Sequence, residues 1–167
     1  MAKDALPTTM ATRALDKAKV AYEGHLFEYE EKGGTRHSSQ ALGVDEHSVI
    51  KTLVFEDDDK RPLIVLMHGD CTVSTKELAR QLGVKRIEPC TPEVAERHTG
   101  YQVGGTSPFG TRKPLPVHAE ESIFALPTIY INGGKRGFLV SLAPAELKRV
   151  LDPRPVSVAL AGRRATP

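Results

Sequence analysis

The chain has 167 residues, 40% of them apolar and 26% charged, and a formal net charge of +2. This composition excludes a collagen and a fully disordered chain, and no window approaches the roughly 18 apolar residues of a spanning helix. A chain this long buries about 70% of its unfolded surface and needs no staples, and its near-neutral charge neither demands nor excludes nucleic acid. Cys71 and Cys90 have no C-x-x-C spacing and read as free thiols of a reducing compartment. Residues 1–9 hold no apolar run of a secretory signal, so a cytoplasmic location without a membrane is expected.

In chain order, Met10, Ala14, Leu15, Ala18 and Ala21 recur at helical spacing and predict a helix over about residues 9–20. Residues 23–30 read as extended, with Phe27 and Tyr29 on one face. Lys32-Gly33-Gly34 predicts a turn. Ser38 or Ser39 is expected to cap a short helix ending near Gly43, and Asp45 another short turn. Residues 49–55 and 63–67 are β-rich and flank the polar run Glu56 to Pro62, which predicts an antiparallel hairpin at the centre of a sheet. Ser74-Thr75-Lys76-Glu77 predicts a capped helix start with Gly83 as its stop; Thr91-Pro92-Glu93 predicts another ending at Gly100. Residues 101–113 form a Gly/Pro/Ser loop. Residues 128–131 and 137–142 flank Asn132-Gly133-Gly134-Lys135-Arg136, a second hairpin, and a helix over about 144–151 follows. Residues 1–151 are read as one domain, and residues 152–167, with three prolines and three arginines, as a loosely held tail. Strands arriving in hairpins predict an α+β fold with a mixed or antiparallel sheet.

Lys51 is the first residue out of place. Val49, Lys51, Leu53 and Phe55 share one strand face and Ile50, Thr52 and Val54 the other, so the lysine sits in a largely apolar surface. Either its head snorkels to water from a strand end, or it stands at the edge of a pocket facing an anion. Gly104-Gly105-Thr106-Ser107-Pro108-Phe109-Gly110 is either a structural turn or a cradle whose N–H groups meet an oxyanion or phosphate. It is neither a Walker loop nor a dinucleotide fingerprint. Lys135 and Arg136 on a hairpin tip either bind phosphate or protect a solvated edge. Six histidines show no metal spacing, so no metal and no cofactor are expected. Cys90, just before a helix start, reads as structural more readily than as a reactive thiolate. No carboxylate pair suits acid–base work.

Three segments in order, Val49 to Leu53, Thr99 to Gly110, and Ile129 to Gly137, resemble the YbaK/EbsC family of aminoacyl-tRNA deacylases, relatives of the editing domain of bacterial prolyl-tRNA synthetases. The resemblance spans about residues 12–151. It implies a mixed, barrel-like sheet surrounded by helices, and hydrolysis of the ester joining a wrong amino acid to tRNA. The GGKRG hairpin looks most like the Cys-tRNA(Pro) deacylases. Cysteine and proline are close in size, so a hydrophobic pocket separates them poorly and a second site must edit.

By the same resemblance Lys51 matches the functional lysine. Gly104, Gly105 and Pro108 match a G-x-x-x-P loop whose N–H groups near Gly104 and Gly105 would hold the oxyanion. Tyr29, Thr52, Thr106 and Asn132 fall at substrate-binding positions, and Arg112, Lys113, Lys135 and Arg136 would track tRNA phosphates. The implied partners are mischarged tRNA(Pro) and prolyl-tRNA synthetase. Two departures bear on the amino acid removed: Leu139 stands where members often carry aspartate, and the stretch from Tyr29 to Lys51 is shorter than in some members. Two other readings stand beside the deacylase: a non-catalytic module holding a nucleotide or RNA end, and a hydrolase of another aminoacyl ester (Ala, Ser or Thr) or of a small ester without RNA.

Overall fold

The computed structural model describes residues 6–161. Thr9 caps α1 (Met10–Lys17), its hydroxyl accepting the Thr12 N–H at 3.0 Å. The chain leaves α1 through Lys19, whose φ of 58° cannot continue a helix, so this element is shorter than its apolar spacing suggests. A short strand β1 (Glu23–Leu26) leads to α2 (Gly34–Leu42). The expected cap at Ser38 or Ser39 does not form. Both serines lie buried inside α2, and their hydroxyls donate to the carbonyls of Thr35 and Arg36 three residues back. Gly43 ends α2 in the left-handed conformation, as expected.

The central hairpin is β2 (Val49–Asp57) against β3 (Pro62–His68), in register from Ile50 opposite His68 to Glu56 opposite Pro62. Asp57 closes its turn by accepting the N–H groups of Asp59 and Arg61, each at 2.9 Å. Next come β4 (Cys71–Val73), α3 (Thr75–Leu82), β5 (Ile87–Pro89) and α4 (Pro92–Thr99). Both helices start on the expected caps: Ser74 accepts from Glu77 N–H and Thr91 from Val94 N–H. After a loop come β6 (Val117–Glu120), β7 (Ile129–Lys135), β8 (Phe138–Leu142) and α5 (Pro144–Leu151).

The stretch expected as a loose tail from residue 152 is tied down instead. It forms β9 (Arg154–Val156), parallel to β6, and β10 (Ala159–Ala161), antiparallel to β4. Val156 and Val158 are buried, and the buried Glu120 carboxylate accepts the Val158 N–H at 2.8 Å. Short, proline-broken strands carry no periodicity to reveal them. Residues 162–167, with Arg163 and Arg164, lie outside the described residues.

The main sheet is mixed and runs β1-β8-β7-β2-β3-β6-β9, with β5 also on β2. Its two faces carry two cores. Ile50, Ile64, Leu66, Ile131 and Val140 pack with Leu15 of α1 and Leu147 of α5. Phe55, Leu63, Val65 and Met67 pack on the other side with Leu78 of α3 and Val156. The double apolar character of β2 is therefore real: Ile50 feeds one core, and Leu53 and Phe55 the other.

Candidate functional site

The site arises from a gap in strand pairing. Along one edge, β2 is paired with β3 from Ile50 to Glu56. Along the other, β7 reaches only Val49 and Ile50, and β5 takes only Phe55 to Asp57. The Val54 carbonyl on that edge accepts the Cys90 N–H at 3.0 Å. Main-chain groups alternate along a strand, so Thr52 presents its own N–H and C=O to the gap. Beside this seam lies a cleft of about 740 Å³, within the range of small-molecule sites. Its walls include Phe27, Tyr29, Lys51, Thr52, Gly104, Thr106, Asn132 and Arg136.

Lys51 is half-buried, and its ammonium donates to the Cys71 carbonyl. Burial lowers its pKa from the ordinary lysine value, opposed by the nearby Cys71, Glu46 and Asp70. The lysine therefore neither snorkels freely nor stands without a partner. It is pinned in the wall of the cleft.

The glycine loop is clamped to the β7–β8 hairpin. The register of β7 shifts between Asn132 and Lys135, and this bulge re-aims Asn132. The Asn132 side-chain oxygen accepts the N–H groups of Gly134 (2.7 Å) and Lys135 (3.1 Å), and its amide donates to the Gly104 carbonyl at 3.0 Å. Arg136 donates through Nε to the Val103 carbonyl at 2.9 Å, and its guanidinium lies 4.9 Å from the centre of the Tyr29 ring. Gly104 has φ +93°, and a Cβ there would stand 2.8 Å from the Tyr29 hydroxyl. Only glycine suits that conformation and that approach. A Cβ on Gly105 would meet the main chain of Lys135 and Arg136 at 2.9 to 3.1 Å.

The expected residues divide in the structure. Lys51, Gly104, Tyr29, Thr52, Thr106 and Asn132 share the cleft, with Arg136 at its wall. The Gly105 N–H is not available to an oxyanion, because it donates to the Gln102 carbonyl at 2.8 Å. The Gly104 N–H makes no hydrogen bond among the described residues. Pro108 is buried and faces a separate, smaller cavity, so it shapes the loop without lining the cleft. Arg112, Lys113 and Lys135 are exposed and outside the cleft's lining. The Thr52 hydroxyl is buried with no hydrogen-bond partner among the described residues.

Sequence reasoning missed the apolar part of the cleft: Phe27, Leu53, Val103 and Cys90 line it. Leu139, noted above only as a departure, is buried and lines it too. Leu53 was signalled by the apolar character of β2 and Phe27 by sharing a face with Tyr29, whereas Val103 and Cys90 lie in other segments and carried no such signal. The Cys90 thiol is pushed up to about 11 by burial and by Glu56, so its position before α4 does not make it a thiolate. His98 Nε2 lies 3.1 Å from Glu56 Oε2, and His98 Nδ1 is buried with no partner among the described residues. No helix is long and apolar enough to cross a membrane among the described residues.

The fold and site define a small α+β domain with a lysine held beside a clamped glycine loop in the wall of one cleft. Comparison with known proteins narrows the class. The aminoacyl-tRNA editing domain family matches residues 32–150, and the chain belongs to that family, whose members are aminoacyl-tRNA deacylases. The chain is 31% identical over 137 residues, 81% of its length and 84% of the relative's, to EbsC of Enterococcus faecalis, provisionally named a Cys-tRNA(Pro)/Cys-tRNA(Cys) deacylase. It is 28% identical over 86 residues to a proline–tRNA ligase of Brachyspira hyodysenteriae, matching 52% of this chain and 15% of the ligase. A crystal structure described as a candidate trans-editing enzyme for prolyl-tRNA synthetase superposes with a TM-score of 0.79 at 22% identity, covering 93% of this chain and all (100%) of that one. The mixed sheet with its five helices is the fold of YbaK-like editing proteins.

Proposed function

We propose that this editing domain acts as a cytoplasmic trans-editing deacylase of mischarged tRNA(Pro), with Cys-tRNA(Pro) as its substrate. The observation that carries the reading is the single cleft joining Lys51 to Gly104. The aminoacyl ester is already activated, so the protein must orient it and stabilise the tetrahedral oxyanion. The Gly104 N–H is the main-chain donor for that oxyanion, and Asn132 and Arg136 hold its loop in place. Lys51 anchors the terminal phosphate or the ester oxygen. Tyr29, Thr52, Thr106 and Asn132 contact the terminal nucleoside and the amino acid. Gly105 and Pro108 serve by shaping the loop.

Glu30, Glu31 and His37 also line the cleft, but none is assigned to the ester, and the substrate itself assists the attack: its own thiol attacks the carbonyl, or its free ribose hydroxyl orients an attacking water. A buried leucine at 139 makes that wall of the cleft apolar, which suits a small uncharged side chain such as that of cysteine. Arg112, Lys113, Lys135 and Arg136 follow tRNA phosphates. Phosphate contacts are largely blind to sequence, so selection of tRNA(Pro) falls to a partner, prolyl-tRNA synthetase. The test is release of amino acid from Cys-, Ser- and Ala-charged tRNA(Pro). Thiol attack requires the cysteine ester to be cleaved far faster than the other two. Equal rates on all three would end the thiol mechanism and the cysteine assignment together.

A further inference from the structure

Next to Lys51, at the residue whose carbonyl holds its ammonium, three donors of different softness meet. They are His47 Nδ1, Asp70 Oδ1 and Cys71 Sγ, all within 4.8 Å of one another. Nothing in the deacylation scheme uses them. His47 Nδ1 is 2.8 Å from Asp70 Oδ1, and Cys71 Sγ is 3.6 Å from the same oxygen. The His47 ring is fixed in orientation: it stacks on His68 with centroids 3.7 Å apart and planes 5° apart. His68 is itself anchored, Nδ1 lying 2.7 Å from the His47 carbonyl and Nε2 2.7 Å from Ser122 Oγ. Asp70 ends the two-residue β3–β4 connection and Cys71 opens β4, so the two are adjacent in the chain. The Asp70 side chain is 10% exposed but that of His47 is 40% exposed, which leaves a route in from solvent.

We propose that His47, Asp70 and Cys71 form a zinc-binding site with an open fourth position. One imidazole, one carboxylate and one thiolate suit zinc, whereas magnesium and calcium want oxygen alone. Ligand atoms around tetrahedral zinc lie about 3.3 to 3.8 Å apart, given bonds of about 2.0 to 2.3 Å. The carboxylate–sulfur separation already fits, and the histidine–carboxylate pair must open by about half an ångström. The ion takes the place of the proton shared by His47 Nδ1 and Asp70, and the neutral ring then carries its proton on Nε2. Burial and Asp70 push the Cys71 thiol up to about 11, so it is a thiol in the empty site; zinc takes it as thiolate, and one proton leaves to solvent for each ion bound.

The site adjoins the cleft directly, because the Lys51 ammonium donates to the carbonyl of Cys71 itself. A dication on that residue opposes a second cation held by its main chain. Occupied protein therefore deacylates more slowly, a consequence that rests on the proposed function, whereas zinc binding does not.

Chelator-treated protein titrated with cobalt(II) provides the test. The site predicts a thiolate-to-cobalt charge-transfer band that saturates at one equivalent and is displaced by zinc. Cys71→Ser abolishes the band, and His47→Gln weakens binding at least about tenfold. Cys90→Ser, which alters the separate Glu56–Cys90–His98 cluster, leaves the band unchanged. Circular dichroism of each variant confirms that it is folded. Absence of a band in the wild-type protein overturns the proposal, as does a band that survives Cys71→Ser or vanishes in Cys90→Ser. In a parallel deacylation assay one equivalent of zinc should slow the wild-type protein but not Cys71→Ser. A saturating band with unchanged rates would retain the site and refute the coupling.

Discussion

Gly105→Ala adds one methyl group between the glycine loop and the β7–β8 hairpin. Its Cβ would stand 2.9 Å from the Arg136 nitrogen and 3.0 Å from the Lys135 carbonyl carbon, both main-chain atoms in a hydrogen-bonded turn. Ordinary contact is about 3.4 Å or more, so something must move by about half an ångström. If both sides resist, the strain is about 1 to 3 kcal/mol. For a chain of this size that lowers the melting temperature by roughly 2 to 12 °C. If the loop yields, the Gly104 N–H moves with it. A displacement of about 1 Å in a catalytic group costs about a hundredfold in rate, so half that distance costs about tenfold. The assay is single-turnover deacylation of Cys-tRNA(Pro) beside a thermal melt. Gly83→Ala is the control. Gly83 caps α3 at φ +72° with open space around it, so its variant loses stability to backbone strain while the rate is unchanged. Wild-type rate and wild-type melting temperature in Gly105→Ala would refute the clamp.

Other outcomes follow from the same structure. Arg136→Ala removes both the bond to the Val103 carbonyl and the contact with Tyr29, and is expected to lower the deacylation rate with a small effect on stability, read from the same two assays. Deleting residues 152–167 removes buried Val156 and Val158; at about 1.5 kcal/mol or more for each buried valine, the urea midpoint should fall sharply, and an unchanged midpoint would show that β9 contributes nothing. Burial, reinforced by Arg154, holds the pKa of His118 below 6.5, so the unfolded chain takes up a proton that the folded one refuses. Stability from this residue is therefore present above about pH 6.5 and lost as the pH falls through that value, and His118→Gln should flatten that slope in melts taken from pH 7.5 to 5. If Arg112, Lys113 and Lys135 meet tRNA phosphates, neutralising them should weaken binding and reduce its dependence on salt, as measured by filter binding across a salt series.

The first hairpin was legible because alternation and turn chemistry agree, with β-branched runs on either side of an acidic loop; the second was legible as a hairpin but not in its turn, since Asn132, Gly133 and Gly134 lie inside the bulged β7 and the reversal falls at Arg136 and Gly137. The caps at Ser74 and Thr91 were legible for the same reason, each being a local hydrogen bond written in adjacent residues. The short strands β4, β5, β6, β9 and β10 were not, since three or four residues form no periodic pattern and their pairing is decided by distant partners. The cleft was half legible. Lys51 stood out as a charge in an apolar strand, but the gap that exposes it depends on where β7 and β5 stop, which no local pattern records. Gly105 shows the converse. Its type and place promised a donor, yet the four-residue turn from Gln102 to Gly105 had already used its N–H. The His47–Asp70–Cys71 cluster escaped notice because its members come from two segments, and metal motifs are read from spacing within one.

The central claim is that Lys51 and the Gly104 main chain act together on a tRNA ester. Cys-tRNA(Pro) incubated with excess protein measures this most directly, with Lys51→Ala, checked for its fold by thermal melting, run beside it. The account predicts rapid loss of the ester with the wild-type protein and only the spontaneous rate with the variant. Protection of the ester by the wild-type protein, or full activity in folded Lys51→Ala, would contradict it.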